Sequence, residues 1–542
     1  QLFLQGLIRV ETYAQATMIS SELIFLPIRD SFGTTQLVCT SSKLKEELSQ
    51  LSTESVICIE GVVVKRSKET INMQISTGEI EVEIDKFYCL NRANNLPFFP
   101  LDSRKLPNEE VRLRHRYIDL RRDFLQNNLR KRSLASWTIR NFLVNEGFVE
   151  VETPILFKST SEGAREFIVP TRTKGSFYAL TQSPQQYKQL LMAGGIDKYF
   201  QMAKCFRDED LRTDRQPEFT QIDLEMSFVK ANEIRSLIEK MLIKVWEKVL
   251  GVDLKNKIPF PRITFKEAIS KFGSDKPDTR YSMEIKDISS FVFDPLDQSG
   301  YCAECLVVKN GAILLSNSEI KSLKSLGDAS EDLKFKCEFH KMSADKLNSW
   351  FSDSPLLKHS PNLFNKDNSL TKEFDIEAED LVIVHKRKQL FTISPLDYNF
   401  LWVESFPLFT RDNETGRLSS THHPFTAPIP EDVKLLFKDP EQVKGQHYDL
   451  VLNGIEIGGG SIRIHSAKLQ SMIFNEILKL SDEEAKRFNH LIKALEHGCP
   501  PHGGIALDVM AFPKAASGSD LTVSCPSEIS EERMKEYGIQ II

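Results

Sequence analysis

The sequence lacks three patterns that would each assign it to a large class of proteins. Its 542 residues contain no apolar run of about 18 residues, so no membrane-spanning helix is predicted. They contain neither G-x-x-x-x-G-K-S/T nor G-x-G-x-x-G, so neither a P-loop nor a Rossmann nucleotide site is expected. Net positive charge is also missing. The formal charge is −6, which argues against a basic surface over the whole molecule but allows a local basic patch.

Cysteine is scarce, with nine residues in the chain. So few cysteines in so long a sequence do not suggest a disulfide framework, and they favour a reducing compartment. One spacing matches a set of four zinc ligands, with Cys302 and Cys305 followed by Cys337 and His340. The alternative, which we favour, is two unrelated pairs, because nothing in the surrounding sequence indicates a zinc ribbon.

The order of residue types divides the chain into several domains, as its length requires. Residues 1–92 contain about five strand-like runs separated by turn residues, which suits a small OB-fold barrel. Residues 93–126 have no strong periodicity and predict a hinge. Residues 275–395 are richer in Lys, Ser and Asp, and they predict a domain inserted between residues 127–274 and residues 396–542.

The linker and the segment after it carry two further signals. Eight Arg or Lys stand against two Asp between Arg112 and Arg132, which suits either a nucleic-acid backbone or a solvated helix face. Residues 127–146 predict a helix that stops at Gly147. Its apolar residues are spaced for one buried face, formed by Leu129, Leu134, Trp137, Phe142 and Leu143.

A candidate binding site begins at a predicted helix start. Ser183 caps a helix well and Pro184 suits its first turn. Gln185 and Lys188 are three residues apart and share a face, as expected of an amide and an ammonium that read a carboxylate. The alternative is an ordinary exposed helix face.

Two strands are predicted after that helix. Arg207 ends the first strand beside a loop rich in charged residues, and its planar guanidinium suits phosphate recognition. In the second strand Gln221, Asp223 and Glu225 fall on one face, whereas the alternating residues are apolar. The apolar face predicts core packing, and the polar face predicts a cleft.

A third element runs from Asp449 to His465 and combines two acids, three successive glycines and an arginine. Asp449 and Glu456 offer carboxylates, which suit Mg²⁺ bridging nucleotide phosphates. The glycines 458–460 let a ligand approach the backbone closely, and Arg463 follows them. Flanked by an acid and an arginine on strand-like sequence, the triplet indicates a ligand site.

Taken in order, these residues resemble the class II aminoacyl-tRNA synthetases, in particular the bacterial-type aspartyl-tRNA synthetases that also occur in mitochondria. The resemblance covers almost the whole chain. Residues 147–154 and 206–223 are similar to the first two class II motifs. Other segments are similar to hallmarks of the aspartyl enzymes, namely residues 181–185, 273–278, 422–426 and 458–465.

The resemblance implies ATP as a substrate and Mg²⁺ as its companion ion. Arg207 would hold the α-phosphate, Glu209 the adenine side and Arg215 the γ-phosphate. Asp449 and Glu456 would bind Mg²⁺, and catalysis would rest on Arg207, Glu209, Arg215 and Glu456. No side-chain nucleophile is needed, because the aspartate carboxylate itself attacks the α-phosphorus.

The resemblance also implies a set of residues that bind aspartate. Lys188 and Arg463 would pair with the substrate side-chain carboxylate, and Glu162 would sit on a loop that closes over aspartate. The whole set is Glu162, Gln185, Lys188, Gln221, Asp223, His422, His423 and Arg463.

The implied partner is tRNA(Asp), read at its anticodon by the barrel. The matching positions are Phe25, Gln36, Arg66 and Glu81, and unpaired bases are typically recognised by stacking and edge contacts. Pro154 would lie at the interface of a homodimer.

The implied fold class is α+β. It combines an OB-fold barrel, an antiparallel-sheet catalytic domain flanked by helices, and an inserted α+β domain. Because Gln1 opens the chain inside a strand-like run, we expect a processed or trimmed form whose targeting peptide is out of view. The expected location is the mitochondrial matrix or, otherwise, the cytoplasm of a bacterium.

Two places depart from the family. Leu507 meets Asp508 directly, where the family has a Gly-x-Asp-Arg stretch and a helix that form the third class motif. A shorter gap falls near Leu390. If the third motif is truly absent, ATP binding is expected to be severely impaired, and a non-catalytic tRNA-binding paralogue is the alternative function. The other rival is an asparaginyl enzyme or a relative of asparagine synthetase, against which Lys188, Arg463 and the insertion at residues 275–395 argue.

Overall fold

The chain forms two compact units, one within residues 1–132 and the other within residues 133–513. The computed structural model describes residues 7–14, 18–19, 23–30, 33–100, 106–159, 164–209, 216–280, 283–288, 304–328, 338–347, 350, 371, 374–384, 398–412 and 416–509. Among these residues no helix is both long enough and apolar enough to cross a membrane.

The first unit contains a β-barrel. Its strands are β1 (Leu7–Ala14), β2 (Met18–Ile19), β3 (Ile24–Arg29), β4 (Thr34–Cys39), β5 (Val56–Lys65) and β6 (Ile80–Asn91). They pair in the order β1-β5-β6-β4-β3-β2, and a further pairing of β1 with β3 closes the ring. Alternate residues of β3, which are Ile24, Leu26 and Ile28, fill the interior. The small barrel predicted from the sequence is confirmed.

Two buried carboxylates, Asp119 and Glu54, pair with arginines of the basic segment. Arg116 and Arg122 lie 2.6 and 3.1 Å from Asp119, and Arg121 lies 3.0 Å from Glu54. These cations therefore hold the linker in place. The segment therefore offers less positive charge to a nucleic acid than its number of Arg and Lys residues suggests. The helices of this unit are α1 (Ser42–Ser49), α2 (Glu109–Arg114) and α3 (Arg116–Asp119).

The second unit is built on several sheets. Its strands are β7 (Val149–Glu150), β8 (Leu156–Phe157), β9 (Ile168–Pro170), β10 (Phe177–Leu180), β11 (Lys198–Phe206), β12 (Glu218–Ser227), β13 (Arg262–Thr264), β14 (Ile285–Asp287), β15 (Glu304–Val308), β16 (Glu338–Lys341), β17 (Leu381–Val384), β18 (Phe400–Glu404), β19 (Phe409–Arg411), β20 (Leu418–Ser420), β21 (His447–Leu452), β22 (Ile455–Ile462) and β23 (His502–Val509).

The main sheet has eight strands in the order β13-β18-β21-β22-β23-β12-β11-β7. The strands are antiparallel except at the two edges, where β13 runs parallel to β18 and β7 parallel to β11. One face packs on a long helix over residues 231–250, and the largest core cluster lies between them. The other face carries the cleft described below.

Helices flank this sheet, as the α+β class predicts. The helices of the second unit outside the inserted segment are α4 (Asp123–Asn145), which begins within the residues of the first unit, α5 (Gln185–Ala193), α6 (Ala231–Leu250), α7 (Phe265–Phe272), α10 (Ala467–Met472), α11 (Asp482–Arg487) and α12 (Asn489–Glu496). Within the inserted segment lie α8 (Gly311–Leu314) and α9 (Asn317–Asp328). Short helical turns cover Lys255–Lys257, Pro430–Leu435, Pro440–Gln442 and Ile473–Ile477.

Within the segment predicted as an insertion, four strands form a separate sheet in the order β14-β15-β17-β16. Cys305 on β15 is buried, and His340 on β16 lies 3.2 Å from Glu338. Cys302 and Cys337 lie outside the described residues, so the zinc hypothesis stays a prediction.

Helix α4 begins four residues earlier than predicted, and its buried face differs from the predicted one. Leu143 is fully buried, but Trp137 is 58% exposed. The residues that enter the core beside Leu143 are Thr138 and Ile139. The expected burial of Trp137 is therefore wrong, because the helix turns that side of its surface outward.

Candidate active site

Helix α5 begins where the sequence predicts, directly after Ser183 and Pro184. It carries Gln185 and Lys188 into the interior, where both side chains are buried. The exposed-face alternative is therefore wrong. In the described part of the chain Gln185 Nε2 has no hydrogen-bond partner. A buried donor without a partner indicates a place for a ligand or a water molecule.

Strand β12 has the two faces that its alternation predicts. Ile222 and Leu224 pack into the main core, whereas Gln221, Asp223 and Glu225 face the other way. These three polar side chains are buried too. Gln221 and Asp223 therefore line the wall of a polar cleft, and Glu225 is buried next to them on the same strand face.

Four buried charged groups meet at this wall. Lys188 Nζ lies 3.0 Å from Asp223 Oδ1 and 3.3 Å from Glu225 Oε2, and Arg463 Nε lies 3.1 Å from Glu225 Oε1. Two cations thus face two anions. Asp223 Oδ2 has no hydrogen-bond partner among the described residues, so the group keeps an unused acceptor.

The two carboxylates of this group differ in how firmly they hold their charge. Burial raises the pKa of Asp223 above its ordinary value, against the opposing effect of Lys188. Burial acts on Glu225 in the same direction, but Arg463 and Lys188 outweigh it and lower the pKa of Glu225. Glu225, which sequence reasoning placed on the polar face without a role, is therefore the anion that orients both cations.

Arg207 stands just beyond the end of β11. Its backbone N–H donates to the carbonyl of Pro217 at 2.9 Å, and its guanidinium carbon lies 5.0 Å from the ring centroid of Phe219. Stacking on an aromatic ring fixes the plane of the guanidinium and suits recognition of a planar or phosphate group at its edge. Glu209 lines the same cleft. Arg215 and Glu162 lie outside the described residues.

Asp449 and Glu456 converge over one glycine of the β21–β22 hairpin. A Cβ atom on Gly459 would lie 2.6 Å from Asp449 Oδ1 and 3.5 Å from Glu456 Oε1. Lys276 Nζ already lies 2.9 Å from Glu456 Oε2, as a cation beside the pair. Burial raises the pKa of Asp449 to about 6, and burial together with Asp449 raises the pKa of Glu456. The two carboxylates thus surround a small open space above Gly459. Carboxylate oxygens are ligands that Mg²⁺ prefers, so the two side chains fit this ion.

Three histidines line the cleft, although sequence reasoning proposed two of them. His422 and His423 lie there as predicted, and His447 joins them. The available signal was strand alternation, because His447 precedes Asp449 by two residues and so shares its face. Burial lowers the pKa of His447 to about 3, so its imidazole is neutral.

The cleft has a volume of about 330 Å³. Every described residue that the sequence proposed for ATP, Mg²⁺ or aspartate lines it: Gln185, Lys188, Arg207, Glu209, Gln221, Asp223, His422, His423, Asp449, Glu456 and Arg463. The cleft has further lining residues to which sequence reasoning gave no ligand. Ser183, Thr426 and Ser461 lie within segments that resemble the family, whereas Thr421, His447 and Asp508 lie outside those segments.

Strand β23 runs without a break through the junction of Leu507 and Asp508. Leu507 pairs with Ile222, and Asp508 pairs with Gln221 on the neighbouring strand. Gln221 Nε2 donates to Asp508 Oδ1 at 2.8 Å. The strand thus brings a carboxylate into the cleft at the position where the family continues into its third motif. The second expected gap, near Leu390, lies outside the described residues.

Three of the four barrel residues proposed for the anticodon form one polar group, in which the side chain of Arg66 is only 4% exposed. Gln36 Nε2 donates to Glu81 Oε2 at 3.0 Å, and Arg66 Nε lies 3.6 Å from the same oxygen. Phe25 is half-buried and alternates with the interior residues of β3, so its ring points outward. Polar edges and an aromatic face therefore lie on the same side of the barrel.

The segment with the first class II motif exposes apolar side chains. Pro154 is exposed, and so are Val144, Val149, Ile155 and Leu156. Val149 lies on β7, which is an edge strand of the main sheet. Apolar residues next to an unpaired strand edge are typical of a surface that a partner covers.

An antiparallel sheet with paired buried charges, a stacked arginine and two converging acids on one face defines the catalytic core of a class II aminoacyl-tRNA synthetase. The family described as tRNA synthetases class II (D, K and N) matches residues 108–510, and the OB-fold nucleic acid binding domain matches residues 9–90. The chain belongs to the D, K and N group of the class II tRNA synthetases.

Individual relatives agree with this assignment. An aspartate–tRNA(Asp/Asn) ligase of Opitutus terrae is 42% identical over 574 residues, which cover 96% of this chain and 94% of that protein. A mitochondrial aspartate–tRNA ligase of Dictyostelium discoideum is 39% identical over 596 residues, with 95% and 84% covered. The crystal structure of asparaginyl-tRNA synthetase from Pyrococcus horikoshii complexed with asparaginyl-adenylate has a TM-score of 0.58 at 20% identity, with 93% and 90% covered, and shares the fold.

Proposed function

We propose that this chain is an aspartate–tRNA ligase, which joins L-aspartate to ATP as aspartyl-adenylate and transfers the aspartyl group to the 3′ end of tRNA(Asp). The observation that carries the proposal is the buried group of Lys188, Arg463, Asp223 and Glu225 beside Arg207. The similarity to proteins named aspartate–tRNA ligases over almost the whole chain supports it.

In the first step the α-carboxylate of aspartate attacks the α-phosphorus of ATP, and pyrophosphate leaves. Arg207 is positioned to neutralise the α-phosphate, and its stacking on Phe219 holds the guanidinium before the reaction begins. We propose that Glu209 contacts the adenine side of ATP and that Arg215, which lies outside the described residues, contacts the γ-phosphate. Catalysis is mainly positioning and charge neutralisation, so no side-chain nucleophile takes part.

Asp449 and Glu456 would hold Mg²⁺, since their oxygens converge over Gly459. When bound, the ion neutralises charge on the phosphates of ATP. Lys276 already neutralises part of the charge of this pair through Glu456, and we propose that it moves aside or turns toward the phosphates when ATP binds.

Aspartate is selected by charge. We propose that Lys188 and Arg463 form ion pairs with the side-chain carboxylate of the substrate. Their contacts with Asp223 and Glu225 would weaken when aspartate binds. Gln185, whose Nε2 lacks a partner among the described residues, would hold the other end of aspartate with Gln221 and Asp223. His422 and His423 line the pocket. Glu162, which lies outside the described residues, is proposed from the family resemblance as a further residue that binds aspartate.

Asparagine is the second candidate substrate, because the shared fold includes an asparaginyl-tRNA synthetase. A neutral amide in place of the carboxylate would give Lys188 and Arg463 no new ion pair in return for weakened contacts with Asp223 and Glu225 in a buried site. Sites built around a charged or hydrogen-bonding group discriminate strongly against analogues that lack it.

In the second step the terminal ribose hydroxyl of tRNA attacks the adenylate carbonyl, and AMP leaves. We propose residues 1–92 as the anticodon-binding domain, with Phe25, Gln36, Arg66 and Glu81 as its readers. Residues 93–126 would form the hinge, residues 127–274 and 396–542 the catalytic domain with a C-terminal extension, and residues 275–395 the insertion.

A homodimer is proposed from the exposed apolar side chains around Pro154 and the edge strand β7. The mitochondrial matrix stays the expected location, and the cytoplasm of a bacterium is the alternative. The Dictyostelium relative is named as mitochondrial, which supports the first choice.

The comparisons do not support a non-catalytic paralogue, because the relatives are named as ligases. The alignment with the Opitutus protein spans 574 positions, more than the 542 residues of this chain, so that relative has segments that this chain lacks. This agrees with the gap at Leu507. Because the third motif is expected to bind ATP, the affinity of this chain for ATP is the quantity to measure.

A charging assay tests the function. Purified chain, ATP and Mg²⁺ are incubated with aspartate or asparagine and with tRNA(Asp) or tRNA(Asn), and aminoacylated tRNA is measured. Aspartyl-tRNA(Asp) is expected. Charging with asparagine would transfer the assignment to the asparaginyl enzyme, and tRNA binding without charging would favour the paralogue.

A further inference from the structure

His422, His447 and Asp449 place two imidazoles and a carboxylate together at one side of the cleft. One donor atom from each residue lies within 4.8 Å of the other two. Zn²⁺ and related ions take His nitrogen and Asp oxygen at about 2.0–2.2 Å. Small rotations of the three side chains would bring their donor atoms to the separation that one ion requires.

Two of these residues carry buried polar atoms that the protein leaves without partners. His447 and Asp449 are 6% and 3% exposed. Within the described part of the chain, His447 Nδ1 and Asp449 Oδ1 form no hydrogen bond. His447 Nε2 lies 2.8 Å from Asp449 Oδ1, yet the pair lacks the orientation of a hydrogen bond. In the tautomer with the proton on Nδ1, His447 Nε2 carries its lone pair on the side of Asp449 Oδ1, so one cation can bind both atoms.

An aromatic side chain limits the movement of both rings. The ring centroid of Phe406 lies 4.6 Å from that of His447 and 5.2 Å from that of His422. Phe406 is buried, so the two imidazoles are held against a fixed surface. His422 is exposed at the cleft, which gives an ion in solution a path to the cluster.

We propose that His422, His447 and Asp449 form a binding site for a divalent transition-metal ion of the Zn²⁺ class. This site is distinct in chemistry from the Asp449–Glu456 pair, whose carboxylates suit the harder Mg²⁺. Nitrogen ligands favour Co²⁺ and Zn²⁺ over Mg²⁺. Both sites use Asp449, so the two kinds of ion compete for it.

Competition for Asp449 would affect adenylate formation, an effect that rests on the proposed function. A transition-metal ion on the histidine side would take Asp449 away from Mg²⁺ and would slow adenylate formation. Raising the Mg²⁺ concentration would restore the rate. The binding site itself requires no catalytic activity, so its test is independent of the ligase proposal.

The test uses Co²⁺ as the probe, because its visible absorption reports the ligands and geometry around it, whereas Mg²⁺ gives no such signal. The full chain is titrated with Co²⁺ without ATP or aspartate. We expect one site with intense visible bands typical of low coordination number, and loss of those bands when Zn²⁺ is added.

Three variants decide the outcome. His447→Ala and His422→Ala should each weaken Co²⁺ binding by more than about tenfold, since even changes outside the ligand shell cost about 10–100-fold. His497→Ala, an exposed histidine at the end of α12, is the matched control and should bind as the unchanged chain does. His447→Gln keeps the size of the side chain and separates ligand loss from unfolding, which circular dichroism checks.

Equal binding by the unchanged chain and both alanine variants would overturn the proposal, as would Co²⁺ spectra of a six-coordinate, oxygen-bound ion. Absence of ligase activity with normal Co²⁺ binding would overturn the proposed function and leave the metal site standing.

Discussion

Lys188 is an ammonium buried between two carboxylates of one strand, Asp223 and Glu225. Removing one member of a buried ion group leaves a charge without compensation, which costs about 3–5 kcal/mol. We predict that Lys188→Met lowers the free energy of unfolding by about that amount. Urea denaturation measures it as a lower midpoint at an unchanged slope.

Lys204→Met is the matched control. Lys204 pairs with Glu218 at 2.9 Å on the same hairpin, but the two side chains are 39% and 38% exposed. Exposed pairs contribute about 0–1 kcal/mol. If both variants lose the same free energy of unfolding, burial does not increase the contribution of the Lys188 ion pairs to stability.

Gly459 leaves the space between Asp449 and Glu456 open. We predict that Gly459→Ala raises the Mg²⁺ concentration needed for half-maximal activity by at least about tenfold, since small shifts of metal ligands cost about 10–100-fold in affinity. The added Cβ would lie 2.6 Å from Asp449 Oδ1 and push it away. The measurement is aspartate-dependent pyrophosphate exchange against Mg²⁺ concentration.

Gly194→Ala is the control for that substitution. Gly194 has φ −79° at the end of α5, and its added Cβ would come no closer than 3.3 Å to another atom. Its Mg²⁺ requirement should not change. If the two alanine variants respond alike, Asp449 and Glu456 are not the Mg²⁺ ligands.

At the scale of single residues, the sequence predicts which side chains meet in the cleft better than it predicts what they contact. Strand alternation places Asp223 on the polar face, but its ion pair with Lys188 joins residues 35 positions apart. Such a pair depends on how α5 packs across the sheet, which no local pattern contains. His447 was predictable by the same alternation rule from Asp449.

Elements differ in how well their patterns predict burial. The period of two in β12 is unambiguous, since a strand buried on one face alternates strictly. Helix α4 is ambiguous because apolar residues lie on more than one side of it. Its pattern predicts a helix correctly, but the burial of Trp137 depends on which side meets the core and which side a partner covers.

The exposed apolar surface on and after α4 predicts a dimer. Charged side chains introduced into this surface should dissociate it. We expect the unchanged chain to sediment as a dimer. Val149→Asp combined with Leu156→Asp should shift it to monomer, because two carboxylates would be buried without partners. Analytical ultracentrifugation measures the masses.

Val433→Asp introduces a charge at another exposed apolar position and should leave the dimer intact. A monomeric unchanged chain, or dimers in all variants, would contradict the proposed interface around Pro154.

At the scale of the whole molecule, the barrel and the catalytic sheet separate into two units, so their functions should separate as well. We predict that Phe25→Ala raises the KM for tRNA in the charging reaction and leaves aspartate-dependent pyrophosphate exchange unchanged. Loss of base stacking costs about 1–3 kcal/mol per base, which corresponds to roughly 5–150-fold. Steady-state kinetics of both reactions measure the difference.

Tyr88→Ala removes an exposed ring from another strand of the same barrel and serves as the control. It should change neither reaction. If Phe25→Ala lowers exchange and charging equally, the ring supports the fold and does not read the anticodon.

The overall architecture could be predicted because several independent sequence patterns mark its main elements. These patterns are the strand-rich start, the alternation in β12 and the glycine triplet of β22. The junction at Leu507 and Asp508 was equally visible, and the structure shows that β23 continues through it. The sequence does not reveal the contact of Asp508 in the cleft, because its partner Gln221 comes from the neighbouring strand.

The central claim is that this cleft activates aspartate with ATP. Pyrophosphate exchange by the purified chain, with aspartate and with asparagine in parallel, tests it most directly. Intact mass measured on the same sample establishes whether the chain has an additional segment after Leu507. The account predicts exchange that depends on aspartate and not on asparagine, and absence of exchange with either amino acid would contradict it.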